Sequence, residues 1–275
     1  MTSGSLFQAA ALIALVVTAC AAEPAPARRT TGVEPKPAAS PPAPPARLAL
    51  EVLATYPHAP EAFTQGLLVH DGALYESTGR YGRSSLRRID PETGQVLAER
   101  ALSPNLFGEG LARVGDRLVQ LTWREGVAPV WDLSTLEPLD QLSYQGEGWG
   151  LTFDGERLVM SDGSAWLVFR DPETLAELGR VLVTLDGEPL EELNELEWVG
   201  GAVWANVWGS SSVVRIDPAT GVVTGVADLS ALLARLPPAE SRGIDVLNGI
   251  AWWPERDAFL VTGKLWPRVF LVKME

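Results

Sequence analysis

Five short segments share one plan, in which a polar or aromatic residue precedes a residue that is usually small and then an aliphatic residue. The segments are Gln65-Gly66-Leu67, Glu109-Gly110-Leu111, Trp149-Gly150-Leu151, Asn194-Glu195-Leu196 and Asn248-Gly249-Ile250. Glu109 is the single carboxylate among the first residues of these segments. A carboxyl group among aromatic side chains is expected to have a raised pKa, because desolvation disfavours its charged form. Glu109 is therefore the first candidate for proton-transfer chemistry.

Hairpin geometry predicts which other side chains share a site with Glu109. Two strands of about seven residues return to their starting end, so a residue about 14 positions later lies at the same rim. Side chains two residues before each segment point to the same face. The predicted rim therefore combines a carboxylate, an amine, amides and aromatic rings. Its members are Glu109, Lys264, Gln65, Asn194, Asn248, Phe63, Phe107, Trp123, Trp149 and Trp208.

Each rim residue also has a structural interpretation. Trp and Phe side chains in sheets usually belong to the core. Glu109 could accept hydrogen bonds from backbone amides, with Lys264 as its ion-pair partner. Trp131 and Trp166 fall outside the rim register, and we expect both to be core residues.

The spacing of the five segments predicts the fold. Their first residues lie 44, 40, 45 and 54 positions apart, and a period of about 40–45 residues with several short strands is typical of a β-propeller. We therefore predict an all-β fold with five blades, whose ring is closed by strands at residues 48–56 and 267–274. The long fourth interval contains residues 228–237, whose leucines have helical spacing, and we expect a short helix there.

A second turn recurs on the outer side of the predicted blades. In it an aspartate is followed by Pro or Leu and then by Thr with Gly or Leu. Aspartate can bond its own backbone two residues on, so we interpret these residues as structural. They are Asp90, Asp132, Asp171 and Asp217.

The first 47 residues differ in composition from the rest. An apolar run at residues 6–17 is too short to span a bilayer and ends in small residues before Cys20. This pattern predicts a lipoprotein signal at residues 1–19 with lipidation of Cys20. The alternative is an ordinary secretory signal in which Cys20 is incidental. Residues 20–47 are rich in Ala and Pro and predict an extended tether that enters no sheet. The propeller should occupy residues 48–275, and the protein should be exported to the periplasm or cell surface.

Composition excludes several classes of function. The net charge is −13 without a basic stripe, so we expect no nucleic-acid partner. Cys20 is the only cysteine, and His58 and His70 are the only histidines. These counts argue against a thiolate or multi-histidine metal centre, and no cofactor or metal is predicted. We expect a monomer whose contact with a membrane is limited to the lipid anchor.

Motifs in all five repeats resemble the plant-type, or papaya-type, glutaminyl-peptide cyclotransferases and their bacterial relatives. The resemblance covers about residues 48–275. Beyond the five segments it includes Phe63-Thr64, Glu76-Ser77-Thr78-Gly79, Phe107-Gly108, Leu121-Thr122-Trp123, Trp204-Ala205-Asn206-Val207-Trp208 and Thr262-Gly263-Lys264-Leu265-Trp266-Pro267. It implies a five-bladed propeller whose central channel holds the site.

The resemblance also implies an activity and roles for the rim residues. The activity is closure of an N-terminal glutamine of a peptide or protein into pyroglutamate with release of ammonia. Glu109 would be the general acid/base. Gln65, Asn194 and Lys264 would orient the substrate. The pocket walls would be Phe63, Phe107, Trp123, Trp149 and Trp208.

Two other functions stay open on the residues alone. A calcium-dependent, lactonase-like propeller hydrolase would use Glu109, Asn194 and Asn248 as oxygen ligands. One carboxylate with neutral amides would make only a weak cation site, and Lys264 would repel a cation. A non-catalytic propeller would bind peptides without releasing ammonia.

Overall fold

The computed structural model describes residues 43–239 and 241–275. The predicted signal at residues 1–19, Cys20 and most of the predicted tether lie outside these residues. The described part is built almost entirely from strands, which form five main sheets and one short hairpin. No helix within it is long and apolar enough to cross a membrane.

The five main sheets are the five predicted blades. Blade 1 contains β3 (Thr64–His70), β4 (Ala73–Thr78), β5 (Ser85–Ile89) and β6 (Val96–Ala101). Blade 2 contains β7 (Gly108–Val114), β8 (Arg117–Thr122), β9 (Val127–Asp132) and β10 (Pro138–Ser143). Blade 3 contains β11 (Leu151–Phe153), β12 (Leu158–Met160), β13 (Trp166–Arg170) and β14 (Glu177–Leu182). A hairpin of β15 (Thr184–Leu185) and β16 (Glu188–Pro189) follows blade 3.

The last two blades contain both ends of the described chain. Blade 4 contains β17 (Leu193–Val199), β18 (Ala202–Val207), β19 (Ser212–Ile216) and β20 (Val223–Asp228), and β1 (Ala46–Leu48) adds a fifth strand. Blade 5 contains β21 (Leu247–Trp253), β22 (Ala258–Gly263), β23 (Arg268–Met274) and β2 (Leu50–Pro57). Because β2 pairs antiparallel with β23, the predicted closure of the ring by the two ends is confirmed.

The N-terminal boundary of the folded part differs from the prediction. Strand β1 pairs in parallel with β20, with Ala46 opposite Gly225 and Leu48 opposite Ala227. The expectation that nothing before residue 48 enters a sheet is therefore wrong. Three residues are too short a run to show strand periodicity in a sequence, and the pairing depends on an edge that only the folded blade 4 provides.

Truncation tests what β1 contributes. A chain that begins at residue 43 should melt at the same temperature as the full chain, because it retains every described strand. A chain that begins at Leu50 should lose roughly 0.5–3 kcal/mol of unfolding free energy, since it exposes the edge of β20. Thermal and urea unfolding of the two chains measure the difference. Equal stability of the two would show that β1 contributes nothing.

The core lies between the blades. Apolar side chains form five buried clusters, one at each junction of neighbouring blades. The inner strands β3, β7 and β21 are almost entirely buried, whereas the outer strands β6 and β10 are mostly exposed. Each blade is thus held mainly by its two neighbours.

Two local predictions had different outcomes. A short helix occurs within residues 228–237, but it is a 3-10 helix at Ser230–Arg235. Trp131 is buried as expected, and its indole donates to Gln120 Oε1 at 3.1 Å. The expectation of a core position for Trp166 is wrong, because this first residue of β13 is 37% exposed and its ring lies near the Arg180 guanidinium.

The aspartates of the outer turns form the predicted backbone contacts. Asp90 Oδ1 accepts hydrogen bonds from the amides of Glu92 and Thr93 at 3.0 and 2.9 Å. Asp132 and Asp171 make the same pair of bonds in their blades, and Asp217 accepts one from the amide of Ala219. Their interpretation as structural residues is confirmed.

The small residue of the repeated motif is explained by the approach of neighbouring inner strands. A Cβ atom on Gly66 would lie 2.6 Å from the backbone nitrogen of Leu111, and one on Gly110 would lie 2.5 Å from that of Leu151. Strands that pass this closely leave no room for a side chain. Blade 4 has Glu195 at this position, and its carboxylate accepts hydrogen bonds from the amides of Leu67 and Ile250 at 3.2 and 2.8 Å. Glu195 therefore joins three inner strands.

Candidate functional site

All nine residues assigned to the site from the sequence line one cavity of about 290 Å³. They are Glu109, Gln65, Asn194, Lys264, Phe63, Phe107, Trp123, Trp149 and Trp208, and Asp245 joins them. The hairpin geometry explains why they meet. Each lies at or just before the start of an inner strand, or just after the end of the second strand of a blade.

Irregular pairing marks the start of four inner strands, and three of the polar residues within these irregularities, Gln65, Glu109 and Asn194, line the cavity. The register between inner and second strand shifts between Thr64 and Gly66 in blade 1, and between Gly108 and Leu111 in blade 2. Equivalent shifts span Asn194 in blade 4 and Asn248 in blade 5. A bulge leaves its extra residue unpaired and redirects its side chain. The motif's first residue is thus the bulged residue in four of the five blades.

A chain of hydrogen bonds orients the Glu109 carboxylate. Asn248 Nδ2 donates to the Thr64 carbonyl at 3.1 Å and to Gln65 Oε1 at 3.3 Å. Because a carbonyl can only accept, the Thr64 contact fixes the orientation of the Asn248 amide. Gln65 must then present its Nε2 to Glu109, and it donates to Glu109 Oε1 at 3.0 Å. Asn248 lies behind the cavity and supports it from there.

Burial dominates the electrostatics of Glu109. Only 4% of the residue is exposed, and this burial raises its pKa well above the ordinary value. The Lys264 ammonium opposes the shift, and the carboxylates of Glu147 and Glu125 add to it. Glu109 therefore combines a fixed orientation with a carboxyl group that can hold a proton above the usual pH range of glutamate.

Lys264 lines the cavity together with Glu109 and acts on it electrostatically. Among the described residues no direct ion pair joins the two side chains. Its Nζ lies 4.9 Å from the centre of the Phe63 ring. Burial lowers the pKa of Lys264, while Glu109 and Asp245 favour its charged form.

Asn194 brings an acceptor to the cavity. The residue is 3% exposed, and its Oδ1 atom accepts no hydrogen bond from the described residues. A buried polar atom without a partner is costly. A donor on a bound substrate would remove that cost.

Aromatic rings form two walls of the cavity. Phe107 contacts Phe63 edge to face at 6.2 Å between ring centres, and lies 5.6 Å from Trp123. Trp149 and Trp208 form a second edge-to-face pair at 6.2 Å. Two aromatic walls would exclude water from a bound molecule.

Two carboxylates that bond to residues beside or within the cavity lining were missed from the sequence. Glu147 accepts hydrogen bonds from the Trp123 and Trp149 indoles. Glu125 accepts one from the Tyr81 hydroxyl at 2.8 Å. Phe63 and Phe107 were predicted because each lies two residues before the first residue of its segment. Glu147 lies two residues before Trp149, so the same rule could have found it. Asp245 lies on an irregular stretch before β21, where no such rule applies.

The described residues gather no group of three or more His, Cys, Asp or Glu side chains suited to hold a metal ion. Asn248, one of the three oxygen ligands of the calcium alternative, directs its amide nitrogen to Thr64 and Gln65. Of the three ligands that this alternative names, Glu109 and Asn194 line the cavity and Asn248 does not.

Comparison with known proteins identifies the family. A profile of the glutamine cyclotransferase family matches residues 12–274. The chain belongs to this family. Over 228 aligned residues it is 42% identical to a glutaminyl-peptide cyclotransferase of Arabidopsis thaliana. The aligned region covers 82% of this chain and 71% of the relative. The crystal structure of Myxococcus xanthus glutaminyl cyclase superposes with a TM-score of 0.79 at 44% identity, over 84% of this chain and 98% of the other.

Family membership confirms three predictions made from the sequence. The resemblance to the plant-type cyclotransferases, the five-bladed propeller and the assignment as a glutaminyl cyclase, a transferase, all hold. It also decides against the lactonase-like hydrolase and the non-catalytic binding module.

Proposed function

We propose that the enzyme closes the N-terminal glutamine of peptides or proteins into pyroglutamate and releases ammonia, with Glu109 as the single acid/base. The observation that carries the proposal is the buried Glu109 carboxyl group, oriented by Gln65 within a cavity of amides and aromatic rings. In this reaction the substrate supplies its own nucleophile. The protein must supply a folded-back conformation and a site for one proton.

The reaction consists of two proton transfers around one tetrahedral intermediate. The free α-amine of glutamine attacks its own γ-carbonyl carbon, the C–N bond of the ring forms, and the carbonyl π electrons move to oxygen. The Glu109 carboxylate takes a proton from the amine nitrogen. Protonated Glu109 then gives that proton to the departing amide nitrogen, the oxyanion electrons re-form the C=O bond, the C–N bond to that nitrogen breaks, and ammonia leaves. Glu109 ends as a carboxylate, ready for the next cycle.

The cavity offers groups for each remaining requirement. The unpartnered Asn194 Oδ1 is a suitable acceptor for a substrate N–H. The Lys264 ammonium is a donor for a substrate carbonyl or for the oxyanion of the intermediate. The aromatic walls would pack against the substrate's methylene groups and favour the folded conformation from which the ring closes.

An ammonia-release assay tests the proposed function. A short peptide that begins with Gln should release one ammonia per molecule and become resistant to N-terminal labelling of its amine. A matched peptide that begins with Asn should release none, because its shorter side chain would have to close a strained four-membered ring. Binding of the Gln peptide without ammonia release would contradict the proposal.

Substitution of individual tryptophans distinguishes residues of the cavity wall from residues of the core. Trp123→Ala and Trp208→Ala should raise KM or lower kcat while changing unfolding free energy little, since both line the cavity and Trp208 is 44% exposed. Trp131→Ala is the control, and it should cost roughly 3–5 kcal/mol of stability because Trp131 is buried between blades 1 and 2. Steady-state kinetics and urea unfolding measure both effects. The reverse pattern would contradict the assignment of the wall.

We also propose that the enzyme is exported and anchored by a lipid on Cys20, and that it acts as a monomer. The supporting features are the apolar run with small residues before Cys20 and the Ala/Pro-rich stretch that follows. Cys20→Ala should move the protein from the membrane fraction to the soluble fraction of the expressing cells. Unchanged fractionation would contradict anchoring, and sedimentation velocity would test the monomer.

A further inference from the structure

Glu147 lies next to the cavity and contacts one residue of each of its aromatic walls. Its Oε2 atom accepts a hydrogen bond from Trp123 Nε1 at 2.8 Å and another from Trp149 Nε1 at 3.1 Å. Its Oε1 atom accepts one from Arg124 Nε at 2.8 Å. Three donors thus converge on one carboxylate.

The two indoles that Glu147 joins belong to different blades. Trp123 follows β8 of blade 2, whereas Trp149 precedes β11 of blade 3. Hydrogen bonds to an ionised acceptor are stronger and more directional than bonds between neutral groups. The Arg124 guanidinium also lies 3.6 Å from the centre of the Trp123 ring and covers one of its faces. The Trp123 indole is thus held by both Glu147 and Arg124, and the Trp149 indole by Glu147.

The backbone that carries Glu147 is itself anchored. The Gly148 amide donates to the Trp123 carbonyl at 2.9 Å, and the Trp149 amide donates to the Ser161 carbonyl at 3.0 Å. A Cβ atom at position 148 would collide with the Tyr144 hydroxyl. The carboxylate therefore projects from a rigid support, as a group that orients other side chains must.

We propose that Glu147 is a positioning residue for catalysis. By holding the Trp123 and Trp149 indoles in fixed planes, it presents the surface on which the substrate side chain folds back towards Glu109. This inference rests on the proposed binding role of the two tryptophans. Glu147 itself does not line the cavity.

The charge of Glu147 also acts on Glu109. Hydrogen bonds from Trp149, Arg124 and Trp123 outweigh the effect of burial and lower the pKa of Glu147, so its carboxyl group stays ionised at neutral pH. The charged groups that act on Glu109 are Lys264, which lowers its pKa, and Glu147 and Glu125, which raise it. Glu109 also interacts electrostatically with Tyr81 and Tyr144. Removal of the charge at position 147 should lower the pKa of Glu109.

Three variants separate these two effects in kinetics with a Gln-initiated peptide. Glu147→Gln should raise KM on the order of tenfold and move the acid limb of the kcat/KM profile to lower pH. Glu147→Asp keeps the charge but cannot reach both indoles, so KM should rise while the acid limb stays in place. Glu125→Gln leaves both indole bonds intact, so the acid limb should move while KM changes less than about threefold.

Trp123→Ala distinguishes failure of the inference from failure of its basis. If Trp123→Ala raises KM but Glu147→Gln and Glu147→Asp leave KM unchanged, Glu147 does not position the wall. If Trp123→Ala also leaves KM unchanged, the proposed binding role of the wall fails first. Circular dichroism and melting temperature establish that each variant is folded. Should Glu147→Gln be unstable, the more conservative Glu147→Asp still decides the question.

Discussion

Glu109→Gln should fold normally and lose on the order of 10²–10⁴-fold in kcat. Glutamine has the size of glutamate, and its Oε1 can still accept the hydrogen bond from Gln65 Nε2. It cannot take a proton from the α-amine or return one to the departing nitrogen. The loss should appear in kcat at saturating peptide, because binding contacts elsewhere in the cavity are unchanged.

The pH profile should change together with the rate. Glu109 must be ionised to accept the first proton, so its raised pKa should set an acid limb above the ordinary range of glutamate. The part of this limb that Glu109 sets should be absent in Glu109→Gln, while the part set by protonation of the substrate's own α-amine should remain. A change of only a few fold in kcat, with the whole limb retained, would show that another group performs the proton transfer.

The Glu109→Gln variant should lose activity without losing stability. A carboxyl group whose pKa is higher in the folded than in the unfolded state destabilises the fold at every pH above its unfolded value. The destabilisation disappears only when the group is protonated in both states. Glu109→Gln should therefore have an equal or higher melting temperature than the parent enzyme at neutral pH. A clear drop would indicate a structural role for Glu109.

Glu195 is not an alternative acid/base, although it lies next to Asn194. Both of its carboxylate oxygens accept backbone hydrogen bonds, from Leu67 and Ile250 in other blades. Glu195 is fully buried and does not line the cavity. Its role is to join inner strands where the other blades have a glycine.

The fold and the site residues could be predicted because the signals behind them are local and repeated. A period near 40–45 residues predicts the number of blades. The alternation of side chains along a strand places Phe63 and Gln65 on one face, and hairpin length brings Trp123 back beside Glu109. Each of these three inferences needs only the number of residues between two positions. Because the pattern occurs five times, a wrong assignment in one blade would disagree with the other four.

The remaining features depend on contacts between distant parts of the chain. The bulges that contain Gln65 and Glu109 follow from the crowding of inner strands, which no single segment shows. The role of Asn248 behind Gln65 depends on its contact with the Thr64 carbonyl, 184 residues away. Trp166 is exposed because it is the first residue of β13, the third strand of blade 3. Its residue type alone predicts burial.

A buried charged cluster surrounds Glu76 near the site. The Glu76 carboxylate, in blade 1, forms a buried ion pair with Arg87 and accepts hydrogen bonds from Thr64 at 2.7 Å and His58 at 3.1 Å. His58 follows the closing strand β2 and also donates to the Trp266 carbonyl at 2.6 Å. The cluster therefore connects blade 1 to blade 5 beside residues that support the cavity.

Glu76 should contribute more to stability than any surface ion pair. Burial alone would raise its pKa, but Arg87, His58 and Thr64 together lower it from 4.5 to about 2. A carboxyl group with a lowered pKa stabilises the fold above its unfolded value, and that contribution disappears as pH falls towards the folded value. Removing one member of a buried pair leaves the other charge without compensation, at a cost of roughly 3–5 kcal/mol.

Glu76→Gln should therefore lose roughly 3–5 kcal/mol of unfolding free energy at pH 7, and the deficit should shrink as pH falls from 4.5 towards 2. The shrinkage follows because the parent enzyme then protonates Glu76 and loses the same interaction. Glu137→Gln is the matched control, since it breaks an exposed ion pair with Arg100 and should cost no more than about 1 kcal/mol. Urea unfolding at several pH values measures both variants. A deficit of constant size across this range would mean that the shape of Glu76, and not its charge, holds the two blades together.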